Sequence, residues 1–292
     1  MRMRSEWVEF DTPSGLIPGY LAYGLDAPGP LPGILVMHEI WGVNEHIKDV
    51  AERFARAGYV ALAPDLYSPG GSRPAVLARD RVELAKHFFD SVPPEEWLKV
   101  LHDEDRRAQA LAGIYESRED QDTAGETLLQ LFAGVRGDIT PFVRILATAA
   151  GYLRSQEICS GTLGSVGWCL GGRLSALLAC DDAHPQAAVI FYGSAPPDDR
   201  LALLRCPIRG FYGQDDPPIV AGLADFEAKL QSAHADHELR VYPDTPHAFF
   251  NDTRPSYRVG PARDAWARTL AFFAQVLEPE PLVDVADAAI AS

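Results

Sequence analysis

Residues 167–172 read Gly-Trp-Cys-Leu-Gly-Gly, with an apolar run before them and a run of helical spacing after them. Glycines on both sides of Cys169 let the backbone bend sharply, and a strand-to-helix turn of that kind lifts the central side chain above a sheet. The following helix then points its N-terminus at the sulfur. Its positive dipole end and free N–H groups favour a thiolate, the nucleophilic form of cysteine. The Leu170 N–H is the candidate donor for the oxyanion formed when a carbonyl is attacked. A small cysteine buried beside close Gly-Gly packing fits the same residues. The motif alone leaves both readings open.

A thiol nucleophile needs a base within reach and a third group to orient that base. His247, in Tyr-Pro-Asp-Thr-Pro-His (242–247), and Asp215, in Gly-Gln-Asp-Asp (213–216), each follow a short apolar run with strand character. Nucleophile, acid, base is the chain order of α/β-hydrolases. Asp216 is the alternative acid. Asp215 is preferred because Asp216 precedes Pro217, which biases it toward an extended turn. Glu39, in His-Glu-Ile-Trp-Gly-Val-Asn (38–44), follows the apolar run 34–37 and would overhang the same sheet end. The Ile40 N–H is the candidate second oxyanion donor, because the loop after that strand supplies it in this fold. His38 and His46 flank Glu39, while His87, His102, His184, His234 and His237 lie in charged or helical contexts without ligand spacing. No metal or cofactor is expected. Gly-x-x-x-Gly-Gly does not match the spacing of a dinucleotide-binding loop.

The elements that must carry these residues alternate. Strands are expected at 7–10, 17–23, 34–37, 59–63, 162–166, 187–192, 208–212 and 239–242. Helices are expected at 44–57, 139–153, 172–179, 217–233 and 263–276. That order gives an α/β protein: a mostly parallel central sheet with helices on both faces, whose ligands bind at the carboxyl ends of the strands. Residues from about 68 to 137 interrupt the rhythm with charged helical segments near 76–89, 95–115 and 126–132. They read as a helical insertion, either a cap over the site or a surface elaboration.

The 292 residues are 47% apolar and 23% charged, enough for one hydrophobic core, and are assigned to a single domain over 1–277. Residues 278–292 form an acidic, Ala-rich tail expected to be disordered. No run of about 18 apolar residues is present, which argues against a membrane span. Glu6, Glu9 and Asp11 interrupt the start where a signal peptide needs an apolar stretch, so a cytoplasmic location is expected. Four cysteines without a C-x-x-C pair fit neither a zinc knuckle nor a disulfide framework. The net charge of −15 argues against nucleic acid or an anionic membrane as partner. It would also repel an anionic substrate at long range, so such a substrate needs local Arg or Lys.

Taken together, "HEIWGVN" (38–44), "AGYVALAPDLY" (57–67), "VGWCLGG" (166–172), "GQDD" (213–216) and "PHAFFND" (246–252) resemble the dienelactone hydrolase family. The resemblance covers most of 16–277 apart from the helical segment near 90–137, which is longer than the family's usual connection. It implies an α/β-hydrolase fold, a Cys169–His247–Asp215 triad, oxyanion donors at Leu170 and Ile40, and control of the thiol by Glu39. It implies cleavage of a small-molecule ester or lactone through an acyl-thioester, of which carboxymethylenebutenolide hydrolysis is one case. A broad carboxylesterase or thioesterase acting on neutral esters is the alternative, and a non-catalytic binding protein on the same fold is a third reading. One departure bears on substrate choice: the family's arginine four residues after the catalytic histidine is here Asn251, which leaves Glu39 without its usual counter-charge. Arg254, Arg258, Arg73, Arg79 and Arg81 are the cations that could reach in instead.

Overall fold

The computed structural model describes residues 2–93 and 96–278; residues 94 and 95 of the insertion, and the tail from residue 279 onward, lie outside the described residues. Eight strands form one sheet: β1 (Met3–Thr12), β2 (Gly15–Gly24), β3 (Leu31–Met37), β4 (Val60–Pro64), β5 (Cys159–Trp168), β6 (Ala187–Phe191), β7 (Ile208–Asp215) and β8 (His237–Pro246). Their spatial order is β1-β2-β4-β3-β5-β6-β7-β8. β1, β2 and β4 meet antiparallel, and every pairing from β4 through β3 to β8 is parallel. The parallel strands therefore end on one edge, and that edge carries the loops after β3, β5, β6, β7 and β8.

The helices are α1 (Glu45–Arg56), α2 (Arg79–Ser91), α3 (Trp97–His102), α4 (Glu104–Ile114), α5 (Arg118–Arg136), α6 (Thr140–Ser155), α7 (Leu170–Leu178), α8 (Asp198–Leu201), α9 (Pro217–Val220), α10 (Leu223–Ser232) and α11 (Val259–Leu277). Side chains alternate across the sheet, as the period of two requires. Ile34 and Val36 of β3 join the core under α1 and α11, with Phe54 and Phe273. Leu35 and Met37 face the other way, toward α6 and α7, with Leu146 and Leu174. Both faces are covered, so the strands are apolar on both sides, which explains the near-continuous apolar runs.

The insertion is more helical than its sequence pattern indicated. The segment expected at 95–115 is two helices: Asp103 breaks it and caps α4, accepting from Arg106 N at 3.1 Å. The weak helix near 126–132 is the 19-residue α5, which begins at the Ser117 cap. Its low apolar content reflects one buried stripe, Ala124, Leu128 and Leu131, set against Phe88 of α2. The helix expected at 172–179 starts two residues earlier, directly after Cys169.

The sheet and α7 meet by backbone contact. A Cβ on Gly171 would lie 2.1 Å from Met37 O, and one on Gly167 would lie 2.1 Å from Gly171 O. Neither neighbour is a flexible side chain that could move aside. We expect Gly171→Ala to cost about 3 kcal/mol or more, read as a lowered urea midpoint with an unchanged m-value.

Candidate active site

Cys169 stands at the turn between β5 and α7 with φ +55° and ψ −112°, a conformation that residues bearing a Cβ rarely adopt. The bend is possible because Gly167, Gly171 and Gly172 leave no side chains in the crowded turn. Its own N–H donates to Phe191 O at 3.0 Å, and its carbonyl accepts from Arg173 N at 3.1 Å, which ties the elbow to β6 and α7. The sulfur is partly exposed and lines a cavity of about 210 Å³. The Leu170 N–H, at the first position of α7, is one of the donors a helix leaves without an intrahelical acceptor. Ile40 lies in the loop after β3 and lines the same cavity.

His247 follows β8 and reaches this cavity. Its Nδ1 lies 2.5 Å from Oδ2 of Asp216. A carboxylate only accepts, so Nδ1 carries the proton and Nε2 is left for the sulfur side. Burial acts to lower the imidazole pKa. It is outweighed by the charge of Cys169, the hydrogen bonds with Asp216 and Cys169, and the charge of Asp216, and the pKa is pushed up to about 10. The arrangement holds a cationic imidazolium beside the sulfur.

The choice of Asp215 is corrected here. Asp215 is the last residue of β7 and is exposed, whereas Asp216 is buried, lines the cavity and faces His247. Successive side chains in extended backbone point opposite ways, so only one of the two can serve. Asp216 has φ −124° and ψ 68°. The extended bias imposed by Pro217 is therefore compatible with the position that meets the imidazole.

Glu39 is buried, with Oε2 accepting from Asn251 Nδ2 at 2.6 Å and Oε1 from the Tyr192 hydroxyl at 3.4 Å. Asn251 thus supplies a neutral hydrogen bond at the position where the family resemblance places an arginine. A positive charge is nevertheless near, because Glu39 helps raise the pKa of Arg254 against the effect of burial. His38 positions this loop: its Nδ1–H donates to Glu39 O at 2.6 Å and its Nε2 accepts from Leu66 N at 3.2 Å. Burial lowers its pKa, so the ring stays neutral and locks the β3 loop to the β4 loop.

Of the five arginines named from sequence, only Arg254 lines the cavity. Arg73 pairs with Asp65 at 2.7 Å, Arg79 lies over the Trp7 ring, Arg81 bonds Glu126 at 2.8 Å, and Arg258 bonds backbone carbonyls. The sequence motifs do not single out Tyr192, which directly follows β6 at φ +40° with its ring 4.9 Å from that of His247. Burial, then the charges of Glu39 and Cys169, hold its phenol well above the usual range. The signal is its position: like Cys169, Asp216 and His247 after β5, β7 and β8, Tyr192 follows a parallel strand. The insertion also contributes Phe89, Trp97, Phe132 and Val135 to the wall, so it covers the site.

A mostly parallel sheet with a cysteine elbow after β5, an acid after β7 and a histidine after β8 defines an α/β-hydrolase. The chain belongs to the dienelactone hydrolase family, whose model matches residues 17–277. A Saccharolobus solfataricus protein provisionally named carboxymethylenebutenolidase is 32% identical over 269 residues, covering 91% of this chain and 97% of its own. A Bradyrhizobium protein provisionally named 2-oxo-3-(5-oxofuran-2-ylidene)propanoate lactonase is 30% identical over 279 residues, covering 91% and 92%. Among solved structures, a Klebsiella pneumoniae protein provisionally described as a dienelactone hydrolase matches with TM-score 0.68 and 28% identity, covering 94% of this chain and all of that one. No described helix is long and apolar enough to cross a membrane.

The raised His247 pKa has a consequence for stability. A group whose folded pKa exceeds its ordinary value of 6.5 stabilises the fold fully below pH 6.5, and loses that contribution as pH climbs to about 10. The difference in urea-unfolding free energy between wild type and His247→Gln should therefore narrow from pH 6.5 to 10.

Proposed function

We propose that the protein hydrolyses a small-molecule ester or lactone through Cys169, with His247 as acid and base and Asp216 orienting it. The observation that carries the reading is His247 itself, hydrogen-bonded to a buried carboxylate and lining the same cavity as the elbow cysteine. The Cys169 thiolate attacks the carbonyl carbon, and the resulting oxyanion is held by the N–H groups of Leu170 and Ile40. The carbon–oxygen bond breaks as His247 gives its Nε2 proton to the leaving oxygen, which leaves an acyl-thioester. A water then attacks that thioester while His247 takes its proton. The carboxylic acid departs, and the thiolate and imidazolium are restored.

Glu39 acts next to this centre rather than in the triad. Hydrogen-bonded by Asn251 and Tyr192, it lines the same cavity as the sulfur, where the family resemblance implies that it controls the thiol. The names of the Saccharolobus and Bradyrhizobium relatives support lactones as substrates. Four unpaired cysteines support a reducing, cytoplasmic setting.

Cys169→Ala should fold normally and lose turnover of p-nitrophenyl acetate, with iodoacetamide labelling at position 169 lost as well. Retained hydrolysis would defeat the assignment. Asp216→Asn should lower kcat by roughly 10²–10⁴-fold, through loss of the correct imidazole tautomer. Asp215→Asn should stay within about twofold, as expected for an exposed side chain outside the site. Steady-state kinetics on both variants tests the corrected choice of acid.

A further inference from the structure

The cavity over Cys169 is lined by two carboxylates and one fixed cation, and a third carboxylate, Asp90, pairs with that cation. Among the described residues lining it, Arg254 alone carries a permanent positive charge, while Glu39 and Asp216 carry negative ones. The charge of Arg254 is already paired. Its Nε donates to Oδ1 of Asp90, at the end of α2, at 2.8 Å, and its Nη2 donates to the same oxygen. Both side chains are largely buried, with relative exposures of 5% and 17%. The guanidinium also lies 5.6 Å from the centroid of Trp41 and 5.9 Å from that of Phe89.

Two carboxylates, Asp90 and Glu39, thus stand against one guanidinium, and the Asp216 carboxylate stands against the His247 imidazolium. An anionic substrate entering this space meets no uncompensated cation, in a chain that already carries −15. Burying it there would leave its charge without a partner, which is strongly unfavourable in a low-dielectric cavity. The wall also carries the aromatic rings of Trp41, Phe89, Trp97 and Phe132, beside the apolar Ile40, Val135, Pro218 and Ile219. Phe89 and Trp97 stack at 4.3 Å with 23° between planes, and Phe132 lies 5.5 Å from Phe89. The indole N–H of Trp97 is already given to the carbonyls of Val92 and Phe89, so that wall offers a flat apolar surface without that donor.

We propose that Asp90 is a specificity-determining residue: by holding Arg254 in an internal ion pair, it makes the site select uncharged esters or lactones bearing an aromatic group and refuse carboxylated ones. The inference rests on the hydrolase reading above and names its substrate class. Asp90 touches no reacting atom and acts through the guanidinium it neutralises. The same contact pins the end of α2 to the loop after β8, which keeps the aromatic wall in place over the sulfur.

The test uses a size-matched pair, p-nitrophenyl 3-phenylpropanoate carrying a para-carboxamide or a para-carboxylate on the phenyl ring, at fixed ionic strength. Wild type should favour the carboxamide in kcat/KM by at least about tenfold, since a single buried unpaired charge costs that much or more. Parity or preference for the carboxylate overturns the proposal. In Asp90→Asn, which frees the Arg254 charge, the ratio should fall by about tenfold or more, mainly through KM for the carboxylate. A purely structural role would weaken both substrates alike and leave the ratio unchanged, which also overturns it. Asp90→Glu keeps the charge and must keep the wild-type ratio, so the proposal stays falsifiable if the Asn variant does not fold. Intact-mass detection of acylated Cys169 separates the two readings. Acylation with a preference for the carboxylate sinks this inference alone, whereas hydrolysis without acylation at Cys169 sinks the hydrolytic mechanism and this inference with it.

Discussion

Backbone crowding at the β5–α7 elbow is the constraint from which the site follows. Cys169 is held at a positive φ, and the glycines around it have no Cβ because the neighbouring carbonyls of Met37, Gly171 and Phe191 fill that space. The strain of the turn is supported by hydrogen bonds on both sides of the cysteine and by α7 packed directly on the end of β3. With the elbow fixed, the sulfur lies at the carboxyl edge of the sheet, within range of the groups that the loops after β3, β6, β7 and β8 deliver. Cys169 thus combines a strained torsion with a place in the cavity wall.

Charge around that sulfur is arranged in pairs that link separate parts of the chain. Asp216 after β7 fixes the tautomer of His247 after β8. Glu39 after β3 is held by Asn251 and by Tyr192 after β6. Arg254 is held by Asp90 from the insertion. Each pair contains at least one side chain that would be costly to bury alone, so the partners are mutually required. The insertion is joined to the catalytic loops through one of these pairs and through the aromatic wall it builds, which makes it part of the site rather than an appendage.

Much of this was legible in the sequence, for identifiable reasons. The doubly covered sheet showed itself because strands buried on both faces are continuously apolar, and the glycines around Cys169 marked the elbow. Cys169, His247, Glu39 and Ile40 come together at the expected edge because each follows a parallel strand. The choice between Asp215 and Asp216 failed because it turns on which of two consecutive side chains faces inward, and the end of β7 was placed three residues too early. Pro217 was read as a mark against Asp216, although an extended residue is compatible with the contact seen. Tyr192 was passed over because a tyrosine ending a buried strand looks like core. The Asp90–Arg254 pair joins residues 164 apart in a segment whose placement no periodicity reveals. The insertion's role as a cap stayed open for the same reason.

The account stands or falls on the sulfur of Cys169 being the atom that attacks the carbonyl. Rapid quenching of the wild-type enzyme in acid during turnover of p-nitrophenyl acetate, followed by intact-protein and peptide mass spectrometry, reads that bond directly. The account predicts one acetyl group per chain, on the peptide containing Cys169 and cleaved by neutral hydroxylamine as a thioester is. An acetyl group on any other residue, or steady turnover with no acylated protein at any quench time, would contradict it.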